Sequence, residues 1–415
     1  MTAKRATVAI SHRQTIPGLP GHYTPEAVVV VKEMLKEVTD HLGGMGKFVK
    51  PGDNVIIKPN LAFPVGPDDG ATTDPRALEA LIELIRDEVP GVGEIVVGEG
   101  SACLGWIEGL TGDDVFSATG MTTLAERVGV RLIDWEEDER VPVQVEGAVV
   151  LPDFEVPRSL HEADVFINLP KLKTHVQGTM TLSVKALQGI FHRADKNRAH
   201  AQDLFMKHLE TLRYVRPALN IVEGLYAMQG QGPLSPYPGD VIPDFNTLIA
   251  GADPIATDAV STAVVGMAPE ELEYCRLGDF YGYGVGKLEN IEVRGTPITA
   301  VQRDFKRPVR HLYGVFPNVN IYMHGACTVG CISAIRTFLD GLYAQGLLEQ
   351  LPQPLNIVLG HGTFVPDDLP KDATIVYGDC AAGHRDRGAF FPGCPDLKHI
   401  IESMPEFVWG MLPLE

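Results

Sequence analysis

Asn54-Val-Ile-Ile-Lys58, Asp74-Pro75 and Glu94-Ile-Val-Val-Gly98 read in order as strand, helix start and strand. The two apolar runs are short and β-branched, as strands buried on both faces must be. Asp74-Pro75 offers an N-cap followed by proline at the first helical position, and Pro90-Gly91 stops that helix near Val89. Strand, helix and strand in this succession make a βαβ unit, which implies a parallel sheet.

The same rhythm extends outward. Thr24-Pro25-Glu26 opens a helix through about Asp40, and further strands are predicted at 129–134, 164–169, 218–222 and 247–250. Asp253-Pro254 launches an amphipathic helix through about Val265, and 291–293 supplies a closing strand. Residues 296–317 are rich in Arg, Lys and Pro without periodicity and read as a junction. Beyond them lie a strand at 318–323, a helix at 332–347, strands at 355–359 and 374–377, and a final helix from Pro395. The expected class is α/β. A larger domain, residues 1–300, carries a mostly parallel sheet flanked by helices; residues 301–317 form the junction, and 318–415 form a smaller α/β domain.

The chain has 415 residues, 45% hydrophobic and 21% charged, long enough for two or three domains. It holds no apolar run of about 18 residues, the length a membrane helix needs. The apolar stretch near the start turns polar at Ser11-His12-Arg13, too soon for a signal-peptide core, so a cytoplasmic location is expected. A net charge of -19 argues against nucleic acid or an anionic membrane as partner. Any anion site must then be a local basic pocket. Six cysteines are too sparse for a disulfide scaffold and point to metal or redox chemistry.

Cys327 and Cys331 follow a predicted strand, Cys380 follows another, and Cys394 sits in Gly393-Cys394-Pro395. Parallel strands end on one sheet edge, so thiolates from those ends can converge. Irregular spacing suits an iron-sulfur cluster, with glycines such as Gly330, Gly378 and Gly393 allowing close backbone approach. Two readings compete: a tetrathiolate zinc site, which usually needs two close pairs, and four independently buried cysteines. Cys103 and Cys275 stand alone and read as core.

Cys327-Thr-Val-Gly-Cys331-Ile-Ser, Tyr377-Gly-Asp-Cys380-Ala-Ala-Gly and Gly393-Cys394-Pro395-Asp-Leu-Lys resemble the proximal-cluster domain of nickel-iron hydrogenase small subunits and the related subunit of respiratory complex I. That resemblance covers about the last hundred residues. It implies a flavodoxin-like C-terminal domain and one 4Fe-4S cluster on Cys327, Cys331, Cys380 and Cys394. The sequence departs from the pattern in having three residues between the first two cysteines and Asp396 where a second proline is common.

A second constellation is basic. In 164–175 a strand runs to Pro170 and is followed by Lys171, Lys173, Thr174 and His175; Lys185 comes ten residues after His175. Proline cannot extend a ladder, so these side chains are expected in a loop at a strand tip, where open sheets bind ligands. The competing reading is ordinary solvated lysines. Lys58-Pro59-Asn60 repeats the strand-Lys-Pro form, Thr72-Thr73-Asp74 caps a helix, Gly98-Glu99-Gly100-Ser101 ends a strand and Gly230-Gln-Gly-Pro233 is a turn. One shared anion site at Lys58, Asn60, Thr73, Lys171, Lys173 and Lys185 is the simpler account. These pieces, with Lys185-Ala-Leu-Gln-Gly189 and Ala252-Asp-Pro-Ile-Ala-Thr-Asp258, resemble domain of unknown function family 362 over about residues 50–265. Many relatives in that family are associated with ferredoxin-type clusters, and it has no settled reaction.

His192, His200 and His208 fall eight apart and read as scattered helix histidines in preference to a metal or proton-transfer set. Neither Gly98-Glu-Gly100 nor Gly286-Lys287-Leu288 completes a nucleotide fingerprint.

The expected function is an iron-sulfur oxidoreductase or electron-transfer protein acting on a small anionic molecule, with Lys173 and His175 as catalytic candidates. His175 is the favoured proton carrier because an imidazole titrates near neutrality. Its expected partners are that anion and an electron-transfer protein; a further organic cofactor and self-association stay open. The alternatives are a lyase or isomerase on a small carboxylate with a structural or Lewis-acid cluster, and a metal or cluster maturation factor.

Overall fold

The computed structural model describes residues 5–412 except 20, 22, 106, 194 and 197–202; His200 lies outside the described residues. Its strands are β1 (Ala6–His12), β2 (Val55–Pro59), β3 (Ile95–Glu99), β4 (Arg131–Asp134), β5 (Arg140–Gln144), β6 (Asp153–Pro157), β7 (Val165–Leu169), β8 (Lys171–His175) and β9 (Thr179–Thr181). They continue as β10 (Leu219–Met228), β11 (Val241–Ile242), β12 (Thr247–Gly251), β13 (Ile291–Gly295), β14 (Val319–Met323), β15 (Leu355–Leu359), β16 (Thr374–Tyr377) and β17 (Ala389–Phe391).

The large sheet runs β13-β1-β12-β10-β7-β2-β3-β4. β10, β7, β2, β3 and β4 are mutually parallel, whereas β12 lies antiparallel to both β1 and β10. Both faces are buried, as the unbroken apolar runs require. Ile56 points into a core shared with Ile255 and Ala259 of the helix Pro254–Val264. Its neighbours Val55 and Ile57 point the other way, against Val31 and Leu35 of the helix Pro25–His41 and Leu78 and Leu81 of the helix Pro75–Glu88. The three expected caps form: Thr24, Asp74 and Asp253 each accept a backbone N–H of the first turn.

Beyond the junction, β14-β15-β16-β17 form a separate, wholly parallel sheet whose strands follow chain order, without the reversal of order seen in flavodoxin. The helix Ser333–Ala344 covers one face through Ile335 and Leu339. The segment from Pro395 forms two short helices, Leu397–Ile401 and Ser403–Trp409, in place of one.

One expectation is corrected here. Lys171–His175 is not a loop but strand β8, paired with β10 in parallel and with β9 in a hairpin. Pro170 does end β7, yet β10 is twice the length expected, and its far half offers a new edge after a register shift. β1, β5 and β6 are also strands that the sequence did not announce.

Candidate functional site: a lysine-floored cavity beside four thiols

Each side of the site begins at a strand end. Lys58 leaves β2 near its end and its Nζ donates to Glu99 Oε2 at 2.7 Å, where β3 ends. Glu99 also accepts from Leu61 N at 3.2 Å. On β8, alternate residues Lys171, Lys173 and His175 share a face. Lys171 Nζ lies 2.8 Å from Glu223 Oε2 on β10, Lys173 Nζ donates to the carbonyl of Ala71, and all of these side chains are buried.

Burying so many cations has consequences. Desolvation pushes Lys58 below the ordinary lysine range, against the pull of Glu99. Lys173 is pushed well below it, first by burial and then by the charges of Lys185 and Lys171. Lys185 is pushed down to about 7, by burial and then by Lys58. Burial raises Glu99 and Glu223 above the usual carboxylate range. His175 Nδ1 accepts the backbone N–H of Gln177 at 3.1 Å and of Gly178 at 3.4 Å, so the ring proton resides on Nε2.

Several of these groups open onto one cavity of about 220 Å³. Lys58, Asn60, Lys173, His175 and Lys185 line it, with Glu99 and Gln188. Lys171 and Thr73 do not. Lys171 stands behind with Glu223, and Thr73 Oγ1 bridges strand ends, accepting from Asn60 N at 2.8 Å and donating to Leu169 O at 2.9 Å. The opposite wall is apolar and comes from the C-terminal unit: Ala334 on the helix Ser333–Ala344, then Leu397, Ile400 and Ile401.

The junction and the turn after β10 hold the two units together. Arg310 donates to the carbonyl of Val176 and to Thr179 Oγ1 at 3.0 Å, strapping the β8–β9 turn. Asp340 accepts from Gln231 Nε2 at 2.6 Å and Tyr237 Oη at 2.7 Å while paired with Arg336. Sequence reasoning quoted Glu99 and Gln188 only inside motif strings, without giving them a role, and passed over Glu223 and Arg310. A lone carboxylate carries no motif, and Arg310 lay in a stretch read only as junction.

Cys327, Cys331, Cys380 and Cys394 gather at the ends of β14 and β16 and at the start of the segment leading to Leu397. Ile332 N–H bonds Cys327 O at 3.2 Å, closing one wide π-type turn that accommodates the three residues between Cys327 and Cys331. Gly330 N donates to Cys327 Sγ at 3.0 Å. A Cβ on Gly330 would lie 2.6 Å from Cys327 Sγ, and one on Gly378 would lie 2.9 Å from Cys331 Sγ. Burial pushes the Cys331 thiol up to about 12, with the charges of Cys327, Cys394 and Cys380 adding to it. Among the described residues no group of three His, Cys, Asp or Glu closes on a single metal ion. Of the histidine series, His208 is a core residue, its Nδ1 2.7 Å from Tyr274 Oη and its Nε2 2.5 Å from Gln188 Oε1. No helix among the described residues is long and apolar enough to cross a membrane.

Comparison with known proteins bears on the lysine side. A thylakoid-associated protein of Synechocystis is 30% identical over 241 residues, 57% of this chain and 70% of that protein. The lactate racemase apoprotein from Thermoanaerobacterium thermosaccharolyticum matches at 11% identity and a TM-score of 0.35, over 60% of this chain and 55% of that one. The model of Domain of unknown function (DUF362) matches residues 55–263, the stretch that supplies every lysine of the cavity floor. The chain belongs to that family.

Proposed function

We propose that this chain is an enzyme that binds a small organic anion on the lysine floor, and that Cys327, Cys331, Cys380 and Cys394 hold a 4Fe-4S cluster, making it an iron-sulfur oxidoreductase. One observation carries the reading. The helices that wall the cavity, Ser333–Ala344 and Leu397–Ile401, are the ones that begin just after Cys331 and Cys394.

The residues fit both halves. A cavity lined by Lys58, Lys173 and Lys185, with Glu99 paired to Lys58, favours an anion in a chain that is otherwise strongly acidic. Four clustered thiols, two of them packed against glycine backbone, are the donor set of an iron-sulfur cluster. Such a cluster supplies or accepts single electrons. The chain's own residues orient the anion, exclude water with Leu397, Ile400 and Ile401, and present a proton on His175 Nε2.

Iron content and the ultraviolet-visible spectrum of anaerobically purified chain test the cluster; about four irons per chain are expected. Fewer than about two after reconstitution, with stoichiometric zinc instead, would overturn it. The second reading is a lyase or isomerase on a small carboxylate, favoured by the acid-base pair His175 and Lys185. Paramagnetic resonance separates them: reversible reduction with no anion-dependent shift of the signal is expected for electron transfer, and a shifted signal for Lewis-acid chemistry.

A further inference from the structure

Three of the buried lysines around the cavity have a carboxylate each. Lys58 has Glu99 at 2.7 Å, Lys171 has Glu223 at 2.8 Å and Lys196 has Glu136. Lys173 differs. Its one hydrogen bond goes to the carbonyl of Ala71, and among the described residues no carboxylate bonds it. It is fully buried, faces the positive charges of Lys185, Lys171 and Lys58, and has the charge of Glu99 against them. An ammonium in that position has poor compensation, so burial favours the neutral amine, which keeps a lone pair. Desolvation beside other cations is what turns a lysine into a nucleophile.

We propose that Lys173 is an imine-forming lysine, whose amine condenses with the carbonyl of a small 2-oxo carboxylate held in the cavity by Lys58 and Lys185. The inference rests on the cavity being an anion site and is independent of what the cysteines hold. Lys58 and Lys185 line the same cavity and supply cations for the carboxylate. His175, two residues along the same face of β8, lines it as well and carries its proton on Nε2, where a departing oxygen needs one. The apolar wall of Ala334, Leu397 and Ile400 takes a short aliphatic tail.

The chemistry balances without an oxidant. The Lys173 Nζ lone pair adds to the carbonyl carbon, forming the C–N bond while the π pair moves to oxygen, which takes a proton. The C–O bond then breaks, the nitrogen lone pair forms C=N, and the oxygen leaves as water with the two hydrogens the amine gave up.

The test uses the full chain, purified anaerobically, with pyruvate and sodium cyanoborohydride, followed by intact mass and peptide mapping. Oxalate, an anion with no reactive carbonyl, is the competitor, and calorimetry reports binding of both. One reduced adduct at Lys173, suppressed by oxalate and absent from Lys173→Met, is the expected result. If pyruvate and oxalate both bind but the adduct is missing, or maps to other lysines and persists in Lys173→Met, the imine is overturned and the anion cavity stands. If neither binds, the anion reading falls with it. Should Lys173→Met fail to fold, mapping in the unaltered chain decides alone: an adduct at Lys173 supports the inference and one elsewhere overturns it.

Discussion

Gly189 shows how tightly the floor of the cavity is built. A Cβ there would lie 2.0 Å from Glu99 Oε1 and 2.8 Å from Lys58 Nζ, so the backbone itself packs against the buried ion pair. Gly189→Ala is expected to cost about 1–3 kcal/mol through overpacking and to weaken anion binding with it, read from the denaturant midpoint and from oxalate calorimetry. Glu99→Gln removes the carboxylate that compensates Lys58, and a broken buried pair costs about 3–5 kcal/mol. Lys185 gives a pH signature. Its folded value of about 7 lies below the ordinary 10.5, so between those values the unfolded chain binds the extra proton. Stability therefore rises with pH from about 7 to about 10.5 by up to about 1.4 kcal/mol per unit, and is flat below. Lys185→Met removes that slope, so relative to the unaltered chain it gains most below pH 7, a difference that unfolding curves at pH 6 and pH 9 would show. Anion affinity moves the opposite way. An anion favours the charged lysine, so oxalate binding is expected to weaken up to about tenfold per pH unit above 7, and Lys185→Met to lose that dependence.

At the scale of elements, the parts that local chemistry determines were legible. Capped helices such as Pro75–Glu88, with Asp74 before Pro75, and short β-branched strands such as β2 and β15 carry their signals within a few residues. β8 did not, because its cause is remote. Lys171 and Lys173 read as loop residues until Glu223, 52 positions after Lys171, is placed opposite by β10. The Lys58 partner is likewise 41 positions away. The lysines, His175 and the four cysteines were singled out by residue type and spacing, but their carboxylate partners were not, since pairing across a sheet leaves no local trace. The apolar wall was hidden for the same reason: Ala334 and Ile400 look like ordinary helix residues. The contact between the units offers a prediction of its own. Asp340 is buried, bonds Gln231 and Tyr237 on the large unit, and pairs with Arg336 on its own helix. Asp340→Asn leaves Arg336 without its counter-charge and faces an amide N–H₂ toward donors, at a cost of about 2–5 kcal/mol. Limited proteolysis should then cut faster within residues 302–317, and faster cutting with unchanged oxalate binding would show that the latch fixes the units without shaping the lysine floor.

Across the whole molecule, the family region and the cysteine unit contribute different halves of one enclosure. Residues 55–263 supply the lysines and His175, whereas residues beyond 300 supply Ala334, Leu397, Ile400 and Ile401 of the lining and the four thiols. The cavity is lined from both units. That division separates two functions that are easily confounded, since loss of activity alone would not say which half failed. Cys394→Ser changes one thiol at the start of the segment leading to Leu397 and leaves every lysine in place. It is expected to lower iron content and bleach the visible absorption, while oxalate affinity at pH 6 stays within about twofold, because the anion's charges are met by Lys58 and Lys185 and not by the thiols. Lys58→Met should do the reverse, retaining iron and weakening oxalate by about tenfold or more, on the scale of one buried charge-assisted contact. If Cys394→Ser abolished oxalate binding while the chain still melted cooperatively, the thiols would be shaping the cavity itself, and the two halves would have to be treated as a single site.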